Sequence, residues 1–110
     1  KAANYDLAIT RSGASTISEL AYLNIPFVAI PFPHAKDNHQ YFNAEYYKKN
    51  NSCWLIMQKD INENNLISLL NKIFGDSNEY FSKKQNLIQV AKENTWENNK
   101  SKLTELLNEN

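Results

Sequence analysis

The stretch Thr10-Arg11-Ser12-Gly13-Ala14-Ser15-Thr16 gathers the chain's only arginine, one of its two glycines and four hydroxyl side chains. Such a turn suits an anion. Gly13 and Ala14 let backbone come close to a ligand, and Ser12, Ser15 and Thr16 add donors. A helix starting here turns free N–H groups and the positive end of its dipole outward. The pattern is neither a Walker A loop nor a GxGxxG fingerprint, and an ordinary capped βα turn also accounts for it. Glu19 follows within the same helix. Its carboxylate repels phosphate but can accept two hydrogen bonds from a ribose diol; it also reads as a solvated surface glutamate.

A second group, His34-Ala35-Lys36-Asp37-Asn38-His39-Gln40, offers amides and imidazoles that donate and accept in fixed directions, as sugar hydroxyls require. The spacing of its histidines and Asp37 matches no standard zinc pattern, so no metal is expected. Ser12, Ser15 and Ser18 lie in no nucleophile-elbow sequence. Cys53, in an apolar run, is expected to be a buried, inert thiol. Tyr41, Phe42, Tyr46 and Tyr47 lack interleaved basic residues, and their helical spacing predicts core packing rather than base stacking.

The elements that must position these groups are short. Asp6–Thr10 reads as a buried strand meeting the turn. A helix follows, with Ser15 or Thr16 as N-cap, and closes at Asn24-Ile25-Pro26. Phe27–Ile30 is a second strand, apolar on both faces as in a helix-covered parallel sheet. The prolines of Pro31-Phe32-Pro33 make a loop. Asp37 or Asn38 caps the next helix, which runs to about Asn50, and Ser52–Met57 is a third strand. Asp60-Ile61-Asn62 opens a helix with Leu66, Leu69, Leu70, Ile73 and Phe74 along one side, stopped by Gly75. Residues 76–110 read as one or two amphipathic helices, with stripes of Leu87, Ile88 and Ala91 and of Trp96, Leu103, Leu106 and Leu107. The order predicts an α/β class: a parallel sheet flanked by helices, with right-handed crossovers. Residues 1–75 form the α/β core and 76–110 the C-terminal helices. Three strands make a thin sheet, and the first residues resemble the end of a helix packed on something further, so a C-terminal part of a larger domain is expected.

Composition narrows the partners. The 110 residues carry 12 Lys+Arg and 12 Asp+Glu, a formal net charge of zero. That leaves no basic footprint for nucleic acid. No apolar run reaches the roughly 20 residues that span a bilayer. One cysteine excludes an internal disulfide. There are 17 asparagines, and 11 of the 12 basic residues are lysine. That skew reads as coding bias and makes the retained Arg11 conspicuous.

Taken together, Thr10 to Leu20, Ile25-Pro26, Pro31-Phe32 and Asn38-His39-Gln40-Tyr41-Phe42-Asn43-Ala44 resemble family 28 glycosyltransferases of the GT-B fold. These are UDP-N-acetylglucosamine (UDP-GlcNAc) transferases of bacterial peptidoglycan synthesis. The resemblance covers roughly Asp6 to Leu70. It implies the C-terminal part of a Rossmann-like, nucleotide-sugar-binding domain, with no cofactor or metal. Ser12, Gly13, Ala14, Ser15 and Thr16 would then hold the UDP pyrophosphate, with Arg11 beside them. Glu19 would bond the ribose, and His39 and Gln40 the N-acetylglucosamine. Some members carry glutamine where this chain has His39. The implied partners are UDP-GlcNAc, a lipid-linked muramyl-pentapeptide acceptor and an N-terminal acceptor-binding domain. Peripheral contact with the cytoplasmic face of the bacterial inner membrane is implied as well. The acceptor domain with its Gly-rich loops, and the uracil-contacting strand of the C-terminal domain, are not among these residues; the catalytic base is expected in the N-terminal domain, so the catalytic residue is unknown. Also compatible are a non-catalytic UDP-sugar-binding subunit with a separate acceptor chain, and a GT-B transferase with a different lipid acceptor.

Overall fold

The computed structural model describes residues 6–33 and 38–108, with side chains as far as residue 93. Lys1–Tyr5, His34–Asp37 and the stripe of Trp96, Leu103, Leu106 and Leu107 lie outside the described groups. The elements run β1 (Ala8–Thr10), α1 (Ala14–Tyr22), β2 (Phe27–Ala29), α2 (His39–Lys49), β3 (Trp54–Leu55), a 3₁₀ turn (Gln58–Asp60), α3 (Glu63–Gly75) and α4 (Ser77–Asn108). The sheet is parallel, in the order β1-β2-β3. Ile9 pairs with Val28 across the first ladder, and Val28 with Trp54 across the second.

β2 is the centre. Phe27, Val28 and Ala29 are all fully buried, as expected of a strand covered on both faces. Side chains alternate across a strand, so Phe27 and Ala29 join one core with Ile17, Ala21, Ala44, Tyr47, Cys53, Leu87 and Val90. Val28 joins a second core with Trp54, Ile73 and Tyr80. Phe27 meets Tyr47 edge-on at 5.7 Å, and Trp54 stacks on Tyr80 at 6.5 Å. The Tyr80 hydroxyl donates to the Asp6 carbonyl at 2.6 Å, tying α4 to the entry of β1.

Both helices that leave the site end on asparagine. After α1, Asn24 takes a left-handed φ of 60°, its N–H bonds the Ala21 carbonyl, and the Ile25 N–H reaches back to Leu20. After α2, Asn51 has φ 53°, with the matching bonds from Asn51 to Lys48 and from Ser52 to Tyr47. These are two Schellman closures in which asparagine stands where glycine is usual. Pro26 and the buried Ser52 then carry the chain back into the sheet.

Several boundaries differ from the sequence-based expectation. Gly13 occupies the N-cap position of α1 without a capping side chain, and Ser15 and Thr16 lie inside the first turn, because the helix begins as soon as the chain clears the sheet edge. The Asn62 side chain caps α3, accepting from the Asn65 N–H at 2.8 Å, so Asp60 and Ile61 precede the helix. Gly75 is the last residue of α3 without a left-handed φ, and the Asp76 carboxylate caps the next helix through the Glu79 N–H. Residues 77–108 form a single helix, one of the two arrangements expected. On α3 only Ile73 is buried, and Phe74 remains half exposed. The aromatic group of α2 is likewise divided: Tyr47 is core, while Phe42 is 58% and Tyr46 44% exposed.

Cys53 is fully buried, with Sγ 3.8 Å from the Ala44 carbonyl. Burial pushes its thiol up to about 12, against a smaller opposing pull from Lys83 and Lys48. Lys83 lies over the Trp54 ring and donates to the Cys53 carbonyl at 3.2 Å.

Two outcomes follow from these contacts. Asn24→Ala destabilises the fold by about 1–2 kcal/mol in urea unfolding, the cost of a left-handed Cβ, whereas Asn24→Gly is close to neutral. Cys53 resists alkylation at pH 8 in the folded protein and reacts freely in urea. Because its folded pKa lies above the ordinary thiol value of 9.0, its contribution to stability is complete below pH 9 and is lost as pH rises toward 12.

Candidate functional site

Parallel pairing brings the carboxyl ends of β1, β2 and β3 to one edge, the place where ligands bind open α/β sheets. The Ile30 N–H bonds the Thr10 carbonyl at 2.8 Å and the Ile56 N–H bonds Ala29 at 3.0 Å, so the three exits stay in register beyond the strands. A shallow cavity of about 250 Å³ opens there, lined by Ile9, Thr10, Arg11, Ile30 and Ile61.

The turn out of β1 is fixed from beneath. Ser12 is fully buried, and its carbonyl accepts from the Asn43 side chain of α2 at 3.1 Å. Its hydroxyl is buried without a partner among the described residues. Thr10 donates its hydroxyl to the Arg11 carbonyl at 2.8 Å. Gly13 then starts α1 in an extended conformation (φ −65°, ψ 141°), with no side chain capping the helix. The first helical bond runs from the Ile17 N–H to the Gly13 carbonyl, so the amides of Ala14, Ser15 and Thr16 open the helix. The side chains of Ser15, Thr16 and Glu19 are exposed.

Arg11 and Gln40 meet this edge from two sides. The Gln40 Oε1 accepts from the Phe32 N–H at 2.8 Å. The Arg11 guanidinium lies 5.6 Å from the centre of the Phe32 ring and donates through Nη1 to Gln58 Oε1. The structure thus joins Arg11 to Gln40 through Phe32, and Ser12 to α2 through Asn43. His39 is exposed at the first turn of α2. Among the described residues, the side chains of Glu19, Ser15 and Thr16 stand apart from that network. Among the described residues no group of three or more His, Cys, Asp or Glu could hold a metal ion.

Sequence reasoning passed over Gln58 and the supporting role of Asn43. Asn43 lies one turn after Gln40, within a run already singled out, and that spacing could have found it. Gln58 is 47 positions from Arg11, and nothing in the linear pattern joins them. A second cavity, of about 260 Å³, lies between α1 and α2, lined by Ala14, Ile17, Ser18, Phe42, Asn43, Tyr46 and Tyr47. The half-exposed aromatics of α2 form its wall instead of filling the core.

Comparison with known proteins agrees with this geometry. The model of the glycosyltransferase family 28 C-terminal domain matches residues 1–103. A Pelagibacter ubique protein named UDP-N-acetylglucosamine–N-acetylmuramyl-(pentapeptide) pyrophosphoryl-undecaprenol N-acetylglucosamine transferase is 47% identical over 105 residues, covering 96% of this chain and 30% of that protein. A Rickettsia massiliae protein of the same name is 39% identical over 88 residues, covering 80% of this chain and 23% of its own length. The crystal structure of Acinetobacter baumannii MurG superposes with a TM-score of 0.69 at 26% identity, covering 76% of this chain and 24% of that one. The chain therefore spans less than a third of the length of these relatives. On the family match, the identity and the superposition, the chain belongs to the family 28 glycosyltransferases, as a C-terminal part of their GT-B fold.

Proposed function

We propose that residues 1–110 are the C-terminal portion of the nucleotide-sugar-binding domain of an inverting glycosyltransferase. The enzyme moves N-acetylglucosamine from UDP to a lipid-linked muramyl-pentapeptide, at the cytoplasmic face of the bacterial inner membrane. The reading rests on one observation above the rest: a helix starts uncapped at Gly13, beside the only arginine, on the edge it shares with Gln40.

The chemistry explains why that arrangement suits the reaction. As the anomeric C–O bond of the donor breaks, its electron pair passes to the β-phosphate oxygen, and the acceptor hydroxyl enters from the opposite face. The diphosphate gains charge in that step. Amides of Ala14, Ser15 and Thr16, backed by the dipole of α1, stabilise it without reorganising, and the exposed Ser15 and Thr16 supply hydroxyls, whereas the buried Ser12 supports the turn from beneath. Arg11 adds a cation with a planar fork of donors suited to phosphate. Glu19, one turn on, takes the ribose hydroxyls. His39 and Gln40 take the hexosamine.

Gly13 adds an independent pointer. Its φ of −65° is open to any residue, and an added Cβ would meet nothing within 4 Å. The fold does not require glycine there. A ligand lying against that turn does, since a Cβ would project into the space it needs. Serine or aspartate, the usual caps, would also turn an oxygen onto amides that glycine leaves open.

The acceptor site, the catalytic base and the membrane contact belong to an N-terminal domain in the intact enzyme. The outer edge of β1 fits such an extension, because it has no strand partner among the described residues and Ile9 is 47% exposed. Among the described residues, no helix is long and apolar enough to cross a membrane.

In the intact transferase, Glu19→Ala raises the KM for UDP-GlcNAc by the equivalent of about 1–3 kcal/mol. Unchanged donor kinetics would remove Glu19 from the site. Gly13→Ala costs under about 1 kcal/mol of stability by urea unfolding, yet raises the donor KM several-fold. If stability falls and the donor KM does not, the glycine serves the fold alone.

A further inference from the structure

Arg11 leaves the end of β1, and its partner Gln58 follows β3, two strands away. Neighbouring strands lie about 4.8 Å apart, so this link bridges roughly 10 Å across the exit of β2. The guanidinium therefore crosses the carboxyl edge of the whole sheet. It lies over the Phe32 ring, and Arg11 lines the cavity at the strand ends. Phe32 in turn is held through its backbone N–H by Gln40.

The chemistry of the partner matters more than its position. Among the described residues Arg11 is bonded to a neutral amide and a ring face, and it makes no ion pair with a carboxylate. A glutamate at position 58 would hold the guanidinium more strongly but would cancel its charge. Glutamine fixes the direction of the fork and leaves the charge intact. The bond to Gln58 takes one of the five N–H donors. Arginine presents a planar fork of five donors where lysine presents a compact ammonium, which gives a physical reason for the single arginine in a chain with 11 lysines.

We propose that Gln58 is a positioning residue: it holds Arg11 across the strand ends through a neutral amide, so that the guanidinium meets the diphosphate of a nucleoside diphosphate sugar. The proposal rests on the donor-binding function given above and adds the residue that sets the arginine's direction and preserves its charge. Gln58 itself touches no substrate. Its effect passes through Arg11 and is confined to ligands that carry phosphate.

The test measures competitive inhibition of the intact transferase by UDP and by uridine, which differ only in the diphosphate. Gln58 is exposed, so Gln58→Glu and Gln58→Ala are expected to leave the fold intact. With Gln58→Glu the inhibition constant of UDP rises roughly tenfold, as expected of a lost charge-assisted contact, while that of uridine is unchanged. Gln58→Ala gives a smaller rise for UDP, about threefold. Adding Gln58→Glu to Arg11→Ala produces no further loss. The proposal is overturned if Arg11→Ala lowers the preference for UDP and Gln58→Glu does not, a result that leaves the donor site standing. Equal weakening of UDP and uridine by Gln58→Glu overturns it as well, since that marks a general disturbance of the edge. If Arg11→Ala itself leaves the preference for UDP unchanged, Arg11 is not beside the diphosphate. The donor-site reading of that residue then fails together with the proposal.

Discussion

The parallel pairing of β2 with both neighbours is the constraint on which the rest of the molecule depends. β2 is buried on both faces and bonded along both edges, so it fixes where β1 and β3 stop. A parallel sheet must return each strand through a helix, and every helix then starts at the same edge. The turn before α1, the first residues of α2 and the 3₁₀ turn after β3 converge for that reason. Their convergence needs no direct attraction between the functional groups. It is a consequence of topology, and the side-chain links among Arg11, Phe32, Gln40 and Gln58 are laid over it.

A site built in this way keeps its rigid and its open parts separate. Below the edge, Ser12 is buried and bonded to Asn43, and Ile17 anchors α1 in the core. Above it, Gly13 leaves the helix uncapped and Ser15, Thr16 and Glu19 stand in solvent. The cost is modest, since an absent cap forgoes about 1 kcal/mol or less. It is offset by burial of Ile17 and Ala21 on the other side of the same helix. Donor groups held ready by such a scaffold need not reorder as charge develops, which is the usual source of the largest catalytic term.

Much of this was legible in the sequence, and the reasons differ by element. The unbroken apolar run Phe27–Ile30 announces a strand covered on both faces, because no residue in it can face water. The helix after it ends near Asn50, and α1 ends at Tyr22, close to the predicted Asn24-Ile25-Pro26 stop. The start of α1 was misplaced because glycine, having no side chain, sends no capping signal. The aromatic residues of α2 were expected in the core, yet periodicity cannot tell a buried face from the wall of a cavity. Asn24, Asn38 and Asn51 all take left-handed backbone, so part of the asparagine excess serves positions that glycine would otherwise fill. The link between Arg11 and Gln58 could not be read at all. It depends on strand order, which places residues 47 positions apart at one edge.

The central claim is that the opening amides of α1 grip a diphosphate. The most direct measurement is a crystal structure of the intact protein with UDP-GlcNAc bound. The account predicts phosphate oxygens about 3 Å from the backbone nitrogens of residues 14–16, with the hexosamine against Gln40. Nucleotide lodged elsewhere, with those nitrogens bonded only to water, would contradict it.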